Sequence, residues 1–101
     1  MVIIEGSLSF AEEHRDDVLG GLAEVTRLSR RDAGCVSYWW AEDLADRNTF
    51  RFFECWESAD ALEAHLAMPH EATFGERYLP LITGATASVY EAVPRDGAPA
   101  S

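Results

Sequence analysis

The stretch Glu54-Cys-Trp-Glu-Ser-Ala-Asp-Ala-Leu-Glu-Ala-His-Leu-Ala-Met-Pro-His70 changes its hydrophobic period midway. Up to Trp56 the residues alternate as in a strand; after Ser58 they repeat at helical spacing. A strand end bearing Glu54 and Trp56 therefore runs straight into a helix bearing His65. An acid, an indole and an imidazole fall into one neighbourhood, enough to build a small pocket from a single supersecondary unit.

Working outward, Thr49 to Trp56 reads as a strand with Phe50, Phe52, Glu54 and Trp56 on one face. Before it, Asp43 to Asn48 is polar and turn-like, and Cys35 to Glu42 is an aromatic strand. On that strand Val36, Tyr38 and Trp40 share one face, and Cys35, Ser37 and Trp39 the other. The short turn makes the two an antiparallel hairpin. Val2 to Leu8 is a first strand, and Ser9-Phe-Ala-Glu12 has the spacing of a capping box opening a helix. Val18, Leu22, Val25 and Leu28, with Leu19 beside them, carry that helix to about Arg31. Gly20-Gly21 costs it on the order of 1 kcal/mol per glycine relative to alanine, which either close packing offsets or local weakness expresses. Gly34 sits where a left-handed cap is used. Ser58 caps the helix whose apolar face is Ala61, Leu62, His65, Leu66 and Met68, and Pro69 stops or bends it. Glu71 to about Leu81 is a further helical segment with Phe74 and Tyr78, Gly84 breaks, and Ala85 to Val93 is a last strand.

The order is β-α-β-β-α-β: an α+β, ferredoxin-like, four-stranded antiparallel sheet with helices on one face. It forms one domain over residues 1–93, and the Pro/Gly/Ala-rich 94–101 reads as a frayed tail. The middle strands put large aromatics on both faces, while two helices cover only one. A bare aromatic face exceeds what a soluble monomer tolerates, so a homodimer paired sheet to sheet is expected.

Composition narrows the partners. The 101 residues carry 18 acids against 8 arginines and no lysine, a formal net charge of −10. Such a surface repels phosphate backbones and anionic membranes, so neither nucleic acid nor membrane is an expected partner. No apolar run reaches the length of a membrane span, and Met-Val-Ile-Ile-Glu lacks a basic n-region, so a cytoplasmic chain is expected. Cys35 and Cys55 form no CxxC and read as buried reduced thiols.

Gly34-Cys-Val-Ser-Tyr38, Phe52-Phe-Glu-Cys-Trp-Glu-Ser58, Leu62-Glu-Ala-His65 and Met68-Pro-His70 together resemble the antibiotic biosynthesis monooxygenase (ABM) family of dimeric α/β barrels. The resemblance covers the chain to about Val93. It implies one pocket per subunit between sheet and helices, and activities from cofactor-free oxygenation of anthrones and quinols to haem degradation or sugar-phosphate isomerisation. The haem-degrading branch is least similar. It uses an asparagine on the first strand, where this chain has Glu5-Gly6-Ser7; the single asparagine here is Asn48, in a turn. His65 and Gly75 stand about where that branch has a tryptophan and a histidine. The missing asparagine also weakens the likeness to anthrone oxygenases that use an asparagine–tryptophan pair.

Cofactor-free oxygenation requires that a phenolic or quinol substrate lose a proton, because its anion reduces dioxygen far more readily than the neutral form. Phenols ionise near pH 10 in water, so a base and oxyanion donors must bridge roughly three pH units, about 4 kcal/mol. His65 is the first candidate base. Glu54 orients it or acts itself, or else bonds a backbone amide or an arginine such as Arg77. Tyr38 can donate to a substrate oxygen. Trp56, Trp40 and Phe52 can wall a flat ring, with His70 and Tyr78 as further substrate contacts. For His65 and the aromatics core packing is the competing role, and for His70 a capping or surface one. His65 and His70 lie five apart across a proline, not four apart on one helical face, so no metal site is expected. No glycine-rich phosphate loop appears, and no cofactor is expected. The competing functions are an acid-base isomerase of a small metabolite and a non-catalytic small-ligand-binding dimer. The aromatic pocket and the lack of lysine argue against a phosphosugar.

Overall fold

The computed structural model describes residues 1–95, and positions 96–101 of the expected tail lie outside the described residues. Its elements are β1 (Val2–Phe10), α1 (Arg15–Ser29), β2 (Cys35–Asp43), β3 (Asp46–Trp56), α2 (Ala59–Leu66), α3 (Pro69–Tyr78) and β4 (Ile82–Glu91), with single 3-10 turns at Glu12–His14 and Leu79–Leu81. The four strands form one antiparallel sheet in the order β2-β3-β1-β4. This is the ferredoxin-like arrangement read from the sequence.

The local departures have identifiable causes. Ser9 does not cap α1: it stays in β1, where its hydroxyl meets that of Thr49 at 2.7 Å, and the helix starts through a 3-10 turn without a side-chain cap. Strand pairing held the chain beyond the capping-box position. β3 starts at Asp46 rather than Thr49, because Asp43 and Asp46 pair across a two-residue loop in which the Asp43 carboxylate accepts the Ala45 N–H at 2.8 Å. Gly84 does not break the chain but lies within β4 opposite Ser9. A register shift between Cys35 and Ser37 sets Cys35 opposite Trp56 and separates it from the face of Ser37 and Trp39. The same shift leaves Val36 exposed instead of aligned with Tyr38 and Trp40.

The core lies between α1, α3 and the sheet, and is built from Phe10, Val18, Leu22, Val25, Phe50, Phe74 and Tyr78. Val18, Leu22 and Val25 follow helical spacing and are buried, while Leu19 is exposed. Gly21 explains half of the glycine pair. A Cβ there would stand 2.2 to 2.4 Å from the Tyr78 ring, so α1 and α3 meet only because it is absent; at Gly20 nothing lies within 4 Å. Pro69 occupies the first turn of α3, where a missing N–H costs nothing, so α2 is confined to eight residues. A helix of two turns anchors through one residue. His65 is its buried side chain, and Leu66 and Met68, read as part of the apolar face, are exposed.

The other face of the sheet carries Trp39 stacked on Phe53, with ring centroids 5.6 Å apart and planes 11° from parallel. Tyr90, Ile3 and Cys55 share that face by register, and Trp39 is 41% exposed. The thiols of Cys35 and Cys55 are free, Cys55 buried and Cys35 half-buried. Among the described residues no helix is long and apolar enough to cross a membrane.

Candidate functional site

The site forms where β2 and β3 pass under the junction of α2 and α3. Tyr38 and Glu54 are cross-strand partners, as are Trp40 and Phe52, so all four point toward the helices. Ser58 caps α2 by accepting the Ala61 N–H at 3.1 Å, which turns His65 back over the sheet. Gly34, at φ +81°, lets the chain after α1 curl against α2: its carbonyl accepts the Glu57 N–H at 2.8 Å, and a side chain there would strike Ala61. That curl delivers Asp32.

His65 is 1% exposed and lies against Trp56, with ring centroids 4.4 Å apart and planes 27° apart. Its Nδ1 is 2.8 Å from Asp32 Oδ2, which also meets His70 Nε2 at 2.8 Å. On its other side, Nε2 is 3.3 Å from Glu71 Oε2 and 3.6 Å from Glu54 Oε1. The Glu54 contact is too long for a hydrogen bond and the Glu71 contact does not form one, so Nε2 is a buried nitrogen without a hydrogen-bond partner. Burial pulls the imidazole pKa down, but the carboxylates of Glu71, Asp32 and Glu54 outweigh it, and the net shift is upward.

Glu54 is held by Trp56, whose Nε1–H donates to Oε1 at 3.1 Å. Burial, with Glu71 assisting, raises its pKa against the opposing pull of Trp56 and His65. Tyr38 accepts the Trp40 Nε1–H at 3.1 Å. Burial first, and then the charges of Glu54 and Glu71, lift its phenol well above the ordinary value. It therefore stays protonated, a hydrogen-bond donor rather than a base. Burial and the Asp32 and Glu54 charges also raise the Cys35 thiol, which disfavours a nucleophilic thiolate.

A cavity of about 610 Å³ opens beside these groups, lined among others by Tyr38, Trp40, Phe52, Glu54, Glu71 and Phe74. Tyr38, Glu54, Trp40 and Phe52 thus reach it, as their faces suggested. His65 and Trp56 do not: they stand behind Glu54, so His65 meets a ligand only through a carboxylate. His70 points to Asp32 instead, and Tyr78 is core, its hydroxyl donating to the Asp17 carbonyl at 3.1 Å. Both border a different groove, of about 700 Å³, between α1 and α3. Arg77 pairs with Asp17 on the surface rather than with Glu54. Asp32 and Glu71 were missed by the sequence reading. Glu71 lies two residues beyond Pro69, in the first turn of α3, and Asp32 just past the end of α1, where helical spacing carries no site signal.

The chain matches the family profile described as antibiotic biosynthesis monooxygenase over residues 1–77. A Deinococcus radiodurans protein thought to be an antibiotic biosynthesis monooxygenase superposes with a TM-score of 0.87 at 30% identity, covering 94% of this chain and 95% of that one. A further solved antibiotic biosynthesis monooxygenase is 25% identical, with a TM-score of 0.86 over 93% of this chain and all of the other. The Synechocystis protein sll1783 is 28% identical over 76 residues, 75% of this chain and 52% of that protein. The chain spans about half the length of this curated relative. Profile, identity and fold agree: the chain belongs to the antibiotic biosynthesis monooxygenase family.

Proposed function

We propose that the protein is a cofactor-independent monooxygenase of a small aromatic, quinol or anthrone-like substrate, bound in the cavity between the sheet and α3. The observation that carries this reading is the convergence of Tyr38, Glu54 and Glu71 on a cavity otherwise walled by Trp40, Phe52 and Phe74. Flat apolar walls suit a ring, and a few convergent polar groups suit its phenolic oxygen.

Glu54 takes the phenolic proton. Its raised pKa brings it closer to neutrality than an exposed carboxylate, which is what a general base requires. Tyr38 donates to the oxyanion left behind. His65 is a positioning residue, holding the two carboxylates from behind. The substrate anion then reduces dioxygen directly. For a ring CH₂ the balance closes without a cofactor: the carbon becomes a carbonyl bearing one oxygen atom, the second oxygen leaves as water with the two hydrogens, and the substrate supplies all four electrons.

The stacked Trp39–Phe53 pair on the uncovered face, with Tyr90 exposed on the same face two strands away, supports a homodimer paired through that face. Sedimentation at micromolar concentration tests it, and a stable monomer removes it.

Oxygen uptake by metal-stripped protein over a panel of hydroquinones and anthrones tests the reaction. Uptake above the autoxidation blank that falls in Glu54→Gln supports it. No uptake across the panel overturns it in favour of acid-base isomerisation or simple ligand binding.

A further inference from the structure

We propose that Asp32, His65 and His70 form a binding site for one divalent transition-metal ion, with Zn²⁺ the expected occupant. The site does not rest on the oxygenase reading, since it faces the opposite edge of the His65 ring from the cavity carboxylates.

Three elements contribute the donors: the α1–β2 connection, the last turn of α2 and the first turn of α3. Asp32 Oδ2, His65 Nδ1 and His70 Nε2 all lie within 4.8 Å of one another. Donors about 2.0–2.1 Å from a tetrahedral zinc are roughly 3.3 Å apart. The two 2.8 Å contacts from Asp32 thus need to open by about half an ångström, while the two imidazole nitrogens, within 4.8 Å of each other, settle to the same spacing. The side chains are already dehydrated, with exposures of 7%, 0% and 11% for Asp32, His65 and His70. No arginine or lysine competes for Asp32 among the described residues: its partners are the two imidazoles.

The orphaned nitrogen of His65 supplies the second observation. Both ring nitrogens of His65 face carboxylate oxygens, an arrangement that suits an imidazolium in the metal-free protein and equally a metal on one nitrogen with the proton on the other. With a metal on Nδ1 the proton belongs on Nε2, directed at Glu71 and Glu54. A ligating histidine whose other nitrogen faces a carboxylate is the usual outer arrangement of a zinc site, and Trp56 fixes the ring plane. His70 borders the α1–α3 groove, which offers an entry path and room for a water as fourth ligand. The spacing argument against a metal considered one helix, whereas this donor set spans two helices and a loop.

The test is titration of the metal-stripped full-length protein with Zn²⁺ by calorimetry and with Co²⁺ by visible absorption. The expected result is one ion per chain, the strong visible bands of four-coordinate Co²⁺, and displacement of Co²⁺ by Zn²⁺. His70→Ala and the near-isosteric Asp32→Asn should each weaken binding by more than the roughly 10–100-fold that loss of an outer partner costs, Glu71→Gln should fall within that range, and His14→Ala should change nothing. Absence of binding by the wild-type protein at about 100 μM Zn²⁺, some 5.5 kcal/mol, overturns the site and leaves Asp32 as a hydrogen-bonded anchor only. Wild-type affinity retained in both His70→Ala and Asp32→Asn overturns it equally.

Discussion

The imidazole of His65 lies on the indole of Trp56 at 4.4 Å, and the same indole donates its N–H to Glu54. One side chain of β3 therefore sets both the plane of the buried histidine and the position of the carboxylate between it and the cavity. Trp56 is 0% exposed, so its role is to position these groups rather than to touch a ligand.

Trp56→Phe keeps a ring under His65 and removes the donor to Glu54. We expect a loss of about 1–3 kcal/mol in chemical denaturation. The acid limb of the activity–pH profile should also move upward, because the hydrogen bond that lowers the Glu54 pKa is gone. An unmoved acid limb would show that Glu54 is not the group titrating.

Glu54→Gln should reduce oxygen uptake by about 10²–10⁴-fold, the usual contribution of a general base. Tyr38→Phe should reduce it less and leave the pH profile in place, since its phenol stays protonated throughout. If His65→Gln proves more damaging than Glu54→Gln, the assigned base is wrong.

Stability should fall as pH rises from about 6.5. The folded-state pKa of His65 is raised, so its contribution is fully present below the unfolded imidazole value and is lost as pH climbs through the folded one. Glu54 is raised as well and has the same sign at lower pH, above the ordinary carboxylate value. Melting temperatures of metal-free protein across this window provide the check, and His65→Gln should flatten the slope above pH about 6.5. A flat or rising wild-type curve there would contradict the assignment.

The adjacent glycines should respond oppositely. Gly20→Ala meets open space and should stabilise the protein by up to about 1 kcal/mol. Gly21→Ala drives a methyl into the Tyr78 ring and should cost about 1–3 kcal/mol. Denaturant midpoints of the pair separate the two, and equal shifts would mean that α1 and α3 do not pack through this point.

Trp39→Glu removes one half of the exposed Trp39–Phe53 stack and places a charge on the uncovered face. Sedimentation should shift from dimer to monomer, with uptake in the surviving monomer as an independent readout. An unchanged dimer would locate the interface elsewhere.

The order of elements, the sheet and the facing of Phe50, Phe52, Glu54 and Trp56 were legible in the sequence, because alternation and helical spacing are local and follow from backbone geometry. The pairing of Tyr38 with Glu54 was within reach for the same reason, since a hairpin brings its strands into register. Strand limits were not, as at Ser9 and Asp46, because cross-strand hydrogen bonds outcompeted local capping and turn signals.

The linear chain determined that a histidine, a tryptophan and a glutamate would meet, since one strand-to-helix turn carries all three. Only the tertiary structure decided who stands in front. Packing placed His65 behind Glu54, brought Glu71 to the cavity across a proline, and curled Asp32 in from the far end of α1 through the left-handed Gly34. Those contacts join residues up to 38 positions apart. Their geometry follows from how helices close on a sheet, which no local spacing records.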